Sequence, residues 1–347
     1  MSLFQPLDIR CARWKSCRPK FTRRWKICVT GATLTQARTP PCGRASKARL
    51  SLSFLVWFLE LRMFVADCRP SLGWDLRGGR SVRNPVNRVK WTSGAASDQW
   101  MGRWSRLLTD EFLNWLSLPP NLRWLDVCCG SGVLTEAIVE RCAPARVAGI
   151  DASLQQIEFA REHRAHPAVN FESGDAMALP FTEATFDVAV CGLGLNFVPE
   201  PERALQEMRR VTISGGLVAV YVWDYAEGAR FLRQFWDAAT VVDREASAYD
   251  QARRFPLCNP EALGMLFEGA RMKQVSVRAL NVITRFTSFD DYWQPFLTGQ
   301  GSAPSYLATR DESTKSAIQE RLRSSLTTDS EGAIELPARA WAICGRR

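Results

Sequence analysis

Histidine is nearly absent from this sequence, whose 347 residues include only His163 and His166. Histidine is the side chain used most often as a general base near neutral pH, so a histidine-based mechanism is not favoured. Long apolar runs are also missing from residues 50–64, where the run Phe54 to Leu59 is interrupted by Glu60. A membrane-spanning helix needs about 20 apolar residues, so this segment is too short to cross a bilayer.

Cysteines are numerous, eleven in all, but the closely paired spacings of zinc sites and disulfide frameworks are missing. Cys128 and Cys129 are adjacent, whereas Cys191 and Cys344 fall in predicted buried strands. We therefore expect free thiols, no metal site and a cytoplasmic protein in a reducing compartment.

Charge divides the chain into two parts. Residues 1–97 contain 19 Lys or Arg and only 4 Asp or Glu, whereas residues 98–347 contain 26 basic and 32 acidic residues. The formal net charge of +9 is therefore a property of the N-terminal part alone. A basic surface is typical of nucleic-acid binding, so no nucleic-acid partner is expected for residues 98–347.

The N-terminal extension, residues 1–97, mixes Arg, Pro, Gly and Ser without helical or strand periodicity. Such a segment cannot bury enough apolar surface to order itself, so we expect it to be disordered. One interpretation is an upstream stretch or a dispensable tail. The alternative is a basic tail that binds a membrane surface or a nucleic acid. Retained cofactor binding after deletion of residues 1–90 would favour the first.

The most informative motif is WLDVCCGSG, from Trp124 to Gly132. Its apolar start and small-residue end are typical of a buried parallel strand that turns tightly into a helix. Gly130 and Gly132 carry no Cβ, so a ligand can approach the backbone closely. A second apolar run, Arg146 to Asp151, ends in a carboxylate 19 positions beyond Gly132. A carboxylate at the carboxyl edge of the sheet can accept hydrogen bonds from a ribose diol, which predicts an adenosine-bearing cofactor.

The spacing of the glycines indicates which adenosine-bearing cofactor the turn binds. A dinucleotide turn requires a small residue three places beyond Gly132, and that place is occupied by Thr135. The remaining pattern of Asp126, Cys128, Gly130 and Gly132 resembles motif I of the class I S-adenosylmethionine-dependent methyltransferases. Most of that family has Gly or Ala where this chain has Cys128.

Three later segments resemble the same family in the same order. SGDAMALPF, from Ser173 to Phe181, resembles the stretch that flanks the adenine. FDVAVCGLGLNFV, from Phe186 to Val198, resembles the fourth strand and its turn, which faces the methionine part of the cofactor. EMRRVTISGGLVAVYV, from Glu207 to Val222, resembles the following helix, turn and strand. Ser214 stands where the family usually has a proline.

The resemblance implies an α/β fold for residues 98–347: a Rossmann-like, seven-stranded, mostly parallel sheet with an antiparallel edge pair and helices on both faces. It is closest to the quinone-methylating, small-molecule branch of the family. It implies S-adenosylmethionine as the cofactor. The positions that it implies for cofactor binding are Asp126, Cys128, Gly130, Gly132, Asp151, Ala152, Asp175, Ala176, Cys191 and Gly192.

Residues that typically begin or end helices predict the secondary-structure elements in the second half of the chain. Pro201 is suited to the first position of a helix, and Asn259 caps another that Gly269 closes. The remaining predictions are a helix around Phe231 to Val242, a strand over Met272 to Phe286 and a last strand over Ala333 to Cys344.

Met101 to Leu108, before the first strand, allows two interpretations. In one, this helix closes over the cofactor and Arg103 binds the cofactor's carboxylate bidentately, with Trp104 beside it. In the other, the helix is amphipathic and packs on the edge of the sheet.

The acceptor chemistry is inferred from aromatic residues that follow the fifth strand. They favour a dry pocket for a small apolar or aromatic acceptor and could stabilise a sulfonium through their ring faces. Asp224, directly after that strand, is the one carboxylate predicted as a base near the acceptor. The aromatic residues are Trp223, Tyr225, Phe231, Trp236, Phe289, Tyr292, Trp293 and Phe296.

Three functions remain open at this point: a small-molecule methyltransferase that works by in-line displacement, an RNA methyltransferase, and a cofactor-binding module without catalysis. The acidic balance of residues 98–347 opposes RNA. The family motifs specify the methyl donor but not the acceptor.

Overall fold

A computed structural model of the protein describes residues 102–299 and 301–347. The predictions for the extension, residues 1–97, lie outside the described residues. The boundary at residue 98 therefore stays a prediction.

The described strands form a single sheet. They are β1 (Arg123–Val127), β2 (Arg146–Asp151), β3 (Val169–Ser173), β4 (Phe186–Gly192), β5 (Thr212–Trp223), β6 (Lys273–Phe286) and β7 (Ile334–Arg346). Their order across the sheet is β3-β2-β1-β4-β5-β7-β6. The first five pair in parallel, and β7 runs antiparallel to both β5 and β6. This confirms the predicted seven-stranded, mostly parallel sheet with an antiparallel edge.

The helices connect and cover these strands. They are α1 (Arg103–Leu116), α2 (Val133–Cys142), α3 (Leu154–His163), α4 (Pro201–Val211), α5 (Arg230–Val242), α6 (Gln251–Arg254), α7 (Pro260–Gly269), α8 (Phe289–Trp293), α9 (Ser302–Leu307) and α10 (Glu312–Ser325). Short 3-10 helices span Leu195–Phe197, Arg244–Ala248 and Gln294–Thr298. The chain moves from β1 to β2 in one direction across the sheet and from β4 to β5 in the other. Because such crossovers are right-handed, α2 and α4 fall on opposite faces.

The residues that were predicted to begin and end helices do so in the structure. Pro201 is the first residue of α4. The Asn259 side chain caps α7 by accepting a 2.8 Å hydrogen bond from the backbone N–H of Ala262, and the helix ends at Gly269. The two late strands are shifted by one or two residues from their predicted bounds, as expected for element ends that fray.

The central strands are buried on both faces. In β5, every residue from Gly216 to Trp223 is buried, as is typical of a strand covered by helices on each side. No helix among the described residues is long and apolar enough to cross a bilayer. Because β1, β2, β4 and β5 are parallel, their carboxyl ends meet at one edge, and the loops that leave them face each other there.

Candidate functional site

A cavity of about 540 Å³ opens at the carboxyl edge of the parallel strands. One part of its wall consists of the turn after β1, the end of β2 and the loop after β3. The opposite part consists of α1, the end of β5 and the start of α9. A concave site of this size is typical of small-molecule and cofactor binding.

The glycine turn after β1 has left-handed backbone at three positions. The φ angles are 57° at Cys128, 54° at Gly130 and 86° at Gly132. A Cβ on Gly132 would lie 3.0 Å from the Phe171 ring, so the ring would have to move by a few tenths of an ångström to admit a side chain there. Cys128 adopts a conformation that costs a residue with a Cβ free energy, which explains why glycine suits this position better.

A buried arginine holds the same turn from behind. Arg164 follows α3, and its Nη1 donates a 2.7 Å hydrogen bond to the carbonyl oxygen of Ser131. Its Nε donates to Glu136 at 3.1 Å. Sequence reasoning missed this residue, because no local pattern connects an arginine after one helix to a turn 33 residues earlier.

Asp126 places a buried carboxylate at the cavity with one oxygen unpaired. Its Oδ2 accepts a 2.7 Å hydrogen bond from the Thr135 hydroxyl, whereas its Oδ1 is buried and has no hydrogen-bond partner among residues 102–299 and 301–347. Burial raises the pKa of Asp126 to about 7, although the Thr135 hydrogen bond opposes the shift. A cationic donor at Oδ1 would both satisfy that oxygen and stabilise the ionised carboxylate.

Asp151 connects β2 to the glycine turn. Its Oδ2 accepts a 3.0 Å hydrogen bond from the N–H of Gly130, and its Oδ1 accepts one of 2.8 Å from the N–H of Ser153. Burial raises its pKa, while both backbone hydrogen bonds act in the opposite direction. Each carboxylate oxygen has a second lone pair, so a ligand diol at the cavity wall can still donate to Asp151.

Most of the other predicted cofactor positions also line the cavity. Ala152, Asp175, Ala176 and Gly192 do so, together with Cys128 and Gly130. A Cβ on Gly192 would lie 2.6 Å from the Tyr221 hydroxyl, so the absence of a side chain there keeps the wall open. Gly132 and Cys191 lie outside the wall, and the Cys191 side chain is fully buried.

Arg103 is not directed at the cavity, which corrects the expectation that it binds the cofactor. Its Nη1 and Nη2 donate to the two carboxylate oxygens of Asp291 at 3.0 and 3.1 Å. Trp104 is buried with its ring centroid 4.9 Å from that of Phe286. The packing interpretation of α1 therefore holds for these two residues, although Gly102, directly before α1, and Ser105 and Thr109, within it, do line the cavity.

Asp224 is also engaged elsewhere, and we withdraw the expectation that it acts as a base. Its Oδ2 accepts hydrogen bonds from Nε of Arg339 at 2.8 Å, and Nη2 of Arg339 lies 2.6 Å from the same oxygen. Its Oδ1 accepts from the N–H of Glu227 at 3.1 Å. The carboxylate is buried and does not line the cavity, so it is placed to hold β5 against β7.

The predicted aromatic residues divide into wall and core. Trp223 and Tyr225 line the cavity. The other six are buried in the core and do not line the cavity, and among them the Tyr292 hydroxyl donates a 2.8 Å hydrogen bond to the carbonyl of Phe231. Sequence reasoning missed further wall residues that no periodicity distinguishes from core, and these include Phe197, Tyr221, Leu232 and Gln251.

The chemistry of the wall differs between its two ends. The carboxylates Asp126, Asp151 and Asp175 lie at the β1–β3 end, whereas the other end is aromatic. Burial raises the pKa of both Tyr221 and Tyr225, so their hydroxyls stay protonated near neutral pH and can donate hydrogen bonds. His163 stacks on Phe159, and neither it nor His166 reaches the wall.

Comparison with known proteins places the same region in one family of enzymes. A family model described as a methyltransferase domain matches residues 125–220. The demethylmenaquinone methyltransferase of Staphylococcus aureus is 34% identical over 167 residues, which cover 45% of this chain and 69% of that protein. The 2-phytyl-1,4-naphtoquinone methyltransferase of Thermosynechococcus vestitus is 34% identical over 134 residues, or 38% of this chain. The chain spans 57% of the length of that cyanobacterial relative.

A solved structure with a similar fold is a phosphoethanolamine N-methyltransferase of Haemonchus contortus in complex with S-adenosyl-L-methionine. It is 15% identical, the match covers 78% of this chain and 60% of that one, and the TM-score is 0.49.

Proposed function

This chain belongs to the class I S-adenosylmethionine-dependent methyltransferases, and we propose that it transfers the methyl group of S-adenosylmethionine to a small apolar or aromatic acceptor. The family follows from the Staphylococcus aureus relative, of which the chain covers 69% at 34% identity. The cofactor, the acceptor class and the roles of individual residues are proposals that rest on the residues of the cavity wall.

The observation that carries the proposal is the unpaired Oδ1 of Asp126. The methionine part of S-adenosylmethionine bears an ammonium group, which is the donor that this buried oxygen lacks. Asp151 would accept hydrogen bonds from the ribose diol, and Asp175 and Ala176 would flank the adenine. The residues present therefore fit the cofactor at its charged end, its sugar and its base.

When bound, S-adenosylmethionine supplies an electrophilic methyl group on a sulfonium. The protein's own contribution is to hold the acceptor in line with that methyl and to exclude water. Gly192 and Tyr221 bound the cavity where the acidic and the aromatic ends meet. Phe197 and Trp223 extend the apolar wall beyond them. Alignment and dehydration of this kind supply a large part of the barrier reduction in a displacement.

No ionised base faces the aromatic end among the described wall residues. Asp224 is paired with Arg339, and the tyrosine hydroxyls there remain protonated. We therefore propose an acceptor atom that is already nucleophilic when it binds, such as an ionised oxygen or an activated carbon. The Tyr221 hydroxyl, which is 3.1 Å from the Thr109 hydroxyl, would donate a hydrogen bond rather than remove a proton.

A labelled-donor screen tests the proposal. The full chain is incubated with methyl-labelled S-adenosylmethionine and with quinone precursors, phenols and fatty acids. Transfer of label to at least one acceptor is expected, and it would eliminate a binding module without catalysis. Label found only in RNA would contradict the small-molecule proposal.

The ribose assignment has its own test. An Asp151→Ala variant should bind S-adenosylhomocysteine at least tenfold more weakly, because the diol loses its acceptor. Asp290→Asn, at an exposed carboxylate, is the matched control and should bind as the wild type does. Undiminished affinity in Asp151→Ala would refute the role of Asp151.

A further inference from the structure

Arg254, at the end of α6, is a partly buried cation that has no carboxylate partner among the described residues. Its Nη1 donates a 3.2 Å hydrogen bond to the Ser302 hydroxyl. Its Nε and Nη2 are buried and have no hydrogen-bond acceptor among the described residues. The groups that interact with it electrostatically are the hydroxyls of Tyr225 and Tyr249, and neither hydroxyl carries a charge while it is protonated. Burial lowers the pKa of Arg254 from its ordinary value, but a guanidinium still carries its charge near neutral pH.

Three other arginines in the same half of the protein are paired with carboxylates. Arg233 lies 2.8 Å from a carboxylate oxygen of Asp250, Arg310 lies 2.9 Å from Asp243, and Arg339 lies 2.6 Å from Asp224. A cation withdrawn from water and left unpaired costs free energy, and an incoming anion recovers it. Unlike those three arginines, Arg254 therefore has buried donor groups that an anionic ligand could still occupy.

The free edge of Arg254 has the geometry that a carboxylate requires. The Nε–H and Nη2–H groups point the same way and form a two-pronged donor. Elsewhere in this chain the same pair of nitrogens holds a carboxylate. Arg210 donates from Nε and Nη2 to Glu207, at 2.7 Å each, and Arg123 does so to Asp187, at 2.9 and 2.7 Å.

Arg254 lies directly behind the aromatic end of the cavity. Its partner Ser302 lines the cavity, as do Gln251, one turn earlier in α6, and Tyr225. The amide of Asn196 lies beside the Tyr225 hydroxyl. Polar groups therefore converge at this end, behind a wall that is otherwise apolar.

We infer that the methyl acceptor carries a carboxylate, which the Nε and Nη2 edge of Arg254 binds once the guanidinium turns past Ser302 toward the cavity. The apolar body of the acceptor then lies against Phe197 and Trp223. This inference rests on the proposed function, because it assumes that the aromatic end of the cavity receives the acceptor. It narrows the acceptor class from apolar molecules in general to apolar acids.

Calorimetry on the full chain saturated with S-adenosylhomocysteine tests the inference with two matched pairs of ligands. One pair is a hydroxynaphthoic acid and its primary amide, and the other is a long-chain fatty acid and its amide. Within at least one pair the acid should bind about tenfold or more tightly than the amide, because an ionic hydrogen-bonded pair replaces a neutral contact. Equal affinities within both pairs would overturn the inference without any variant being needed.

Variants of the protein then test whether Arg254 causes the preference for the acid over the amide. Arg254→Met should reduce the acid-to-amide ratio to within about twofold, whereas Arg254→Lys should retain part of it because the charge is kept. Arg253→Met, at the exposed arginine next to it, is the control and should leave the ratio unchanged. A ratio that survives in Arg254→Met would overturn the assignment to Arg254.

The S-adenosylhomocysteine titration that precedes each experiment reports on folding and on the proposed function separately. Failure of the wild type to bind S-adenosylhomocysteine would contradict the proposed function. Binding of S-adenosylhomocysteine with no preference for acids would contradict only the carboxylate inference.

Discussion

The Thr135 hydroxyl donates a 2.7 Å hydrogen bond to Oδ2 of Asp126 and leaves Oδ1 of that carboxylate buried and unpaired. Thr135 also stands at the position where a dinucleotide-binding turn requires a small residue. The same side chain therefore argues against a dinucleotide cofactor and holds the carboxylate of Asp126 in place. The hydrogen bond orients the carboxylate so that its free oxygen is available to a cationic ligand.

Replacing Thr135 with valine should therefore weaken both the fold and the site. The variant keeps the shape of the side chain but leaves the buried Oδ2 without its donor, which costs about 1.5–3 kcal/mol for a hydrogen bond to a charged group. Urea unfolding measures the loss. Thr298→Val, at an exposed hydroxyl bonded to the carbonyl of Pro295, should change the free energy of unfolding by less than about 0.5 kcal/mol. Equal effects in the two variants would contradict this role of Thr135.

The left-handed conformation of Cys128 leads to a second prediction. Its φ of 57° is one that glycine adopts without the steric cost of a Cβ. Cys128→Gly should raise the free energy of unfolding by about 1 kcal/mol, measured by urea unfolding. Cys128→Ala keeps the Cβ and should give no such gain. An alanine variant more stable than the glycine variant would show that the backbone is not strained there.

The pair between Asp224 and Arg339 is predicted to be structural. Arg339→Met leaves a buried carboxylate without its cation and should lower the free energy of unfolding by about 3 kcal/mol. Asp224→Asn should retain turnover within about threefold per folded molecule, because the carboxylate does not face the cavity. Circular dichroism on denaturant titration measures the first effect and labelled-methyl transfer the second. A hundredfold loss of turnover in a fully stable Asp224→Asn protein would restore Asp224 as a base.

Local sequence signals predicted the helices and strands, because caps and turns depend on short-range chemistry, whereas the family resemblance implied the positions for cofactor binding, which stay predictions. Pro201 and Asn259 act through the backbone of the next few residues, and the carboxylate of Asp151 follows directly from the end of its strand. Eight of the positions that the family resemblance implied for cofactor binding line the cavity: Asp126, Cys128, Gly130, Asp151, Ala152, Asp175, Ala176 and Gly192.

The two expectations that the structure corrects failed because each depended on a distant partner. Arg103 forms an ion pair with Asp291, 188 residues away, and Asp224 forms one with Arg339, 115 residues away. A charged residue next to a predicted site looks functional until its counter-ion is known. The fold brings those counter-ions into place only when β6 and β7 join the sheet.

The sequence predicted that one end of the cavity is aromatic, but it did not predict which aromatic residues line the wall. Phe235 and Phe296 stack with ring centroids 4.5 Å apart, deep in the core, whereas Phe197 lines the cavity. All three are apolar residues on helices, and the periodicity of the sequence does not separate a cavity wall from a packed interior.

The central claim is that Asp126 receives the ammonium group of the cofactor, and the affinity for S-adenosylhomocysteine as a function of pH tests it most directly. The pKa of Asp126 is raised to about 7, above the usual value of about 3.9 for an aspartate. Between those two values the folded protein holds a proton that the unfolded chain has lost. The contribution of Asp126 to stability is therefore present at low pH and is lost as the pH rises through about 7.

Cofactor binding should show the opposite trend, since an ammonium group pairs with the ionised form. In calorimetry, the wild type should bind S-adenosylhomocysteine several-fold more tightly at about pH 8 than at about pH 6. Asp126→Asn should bind at least tenfold more weakly at the higher pH and should lose this pH dependence. Wild-type affinity in Asp126→Asn, with the same pH dependence, would contradict the account.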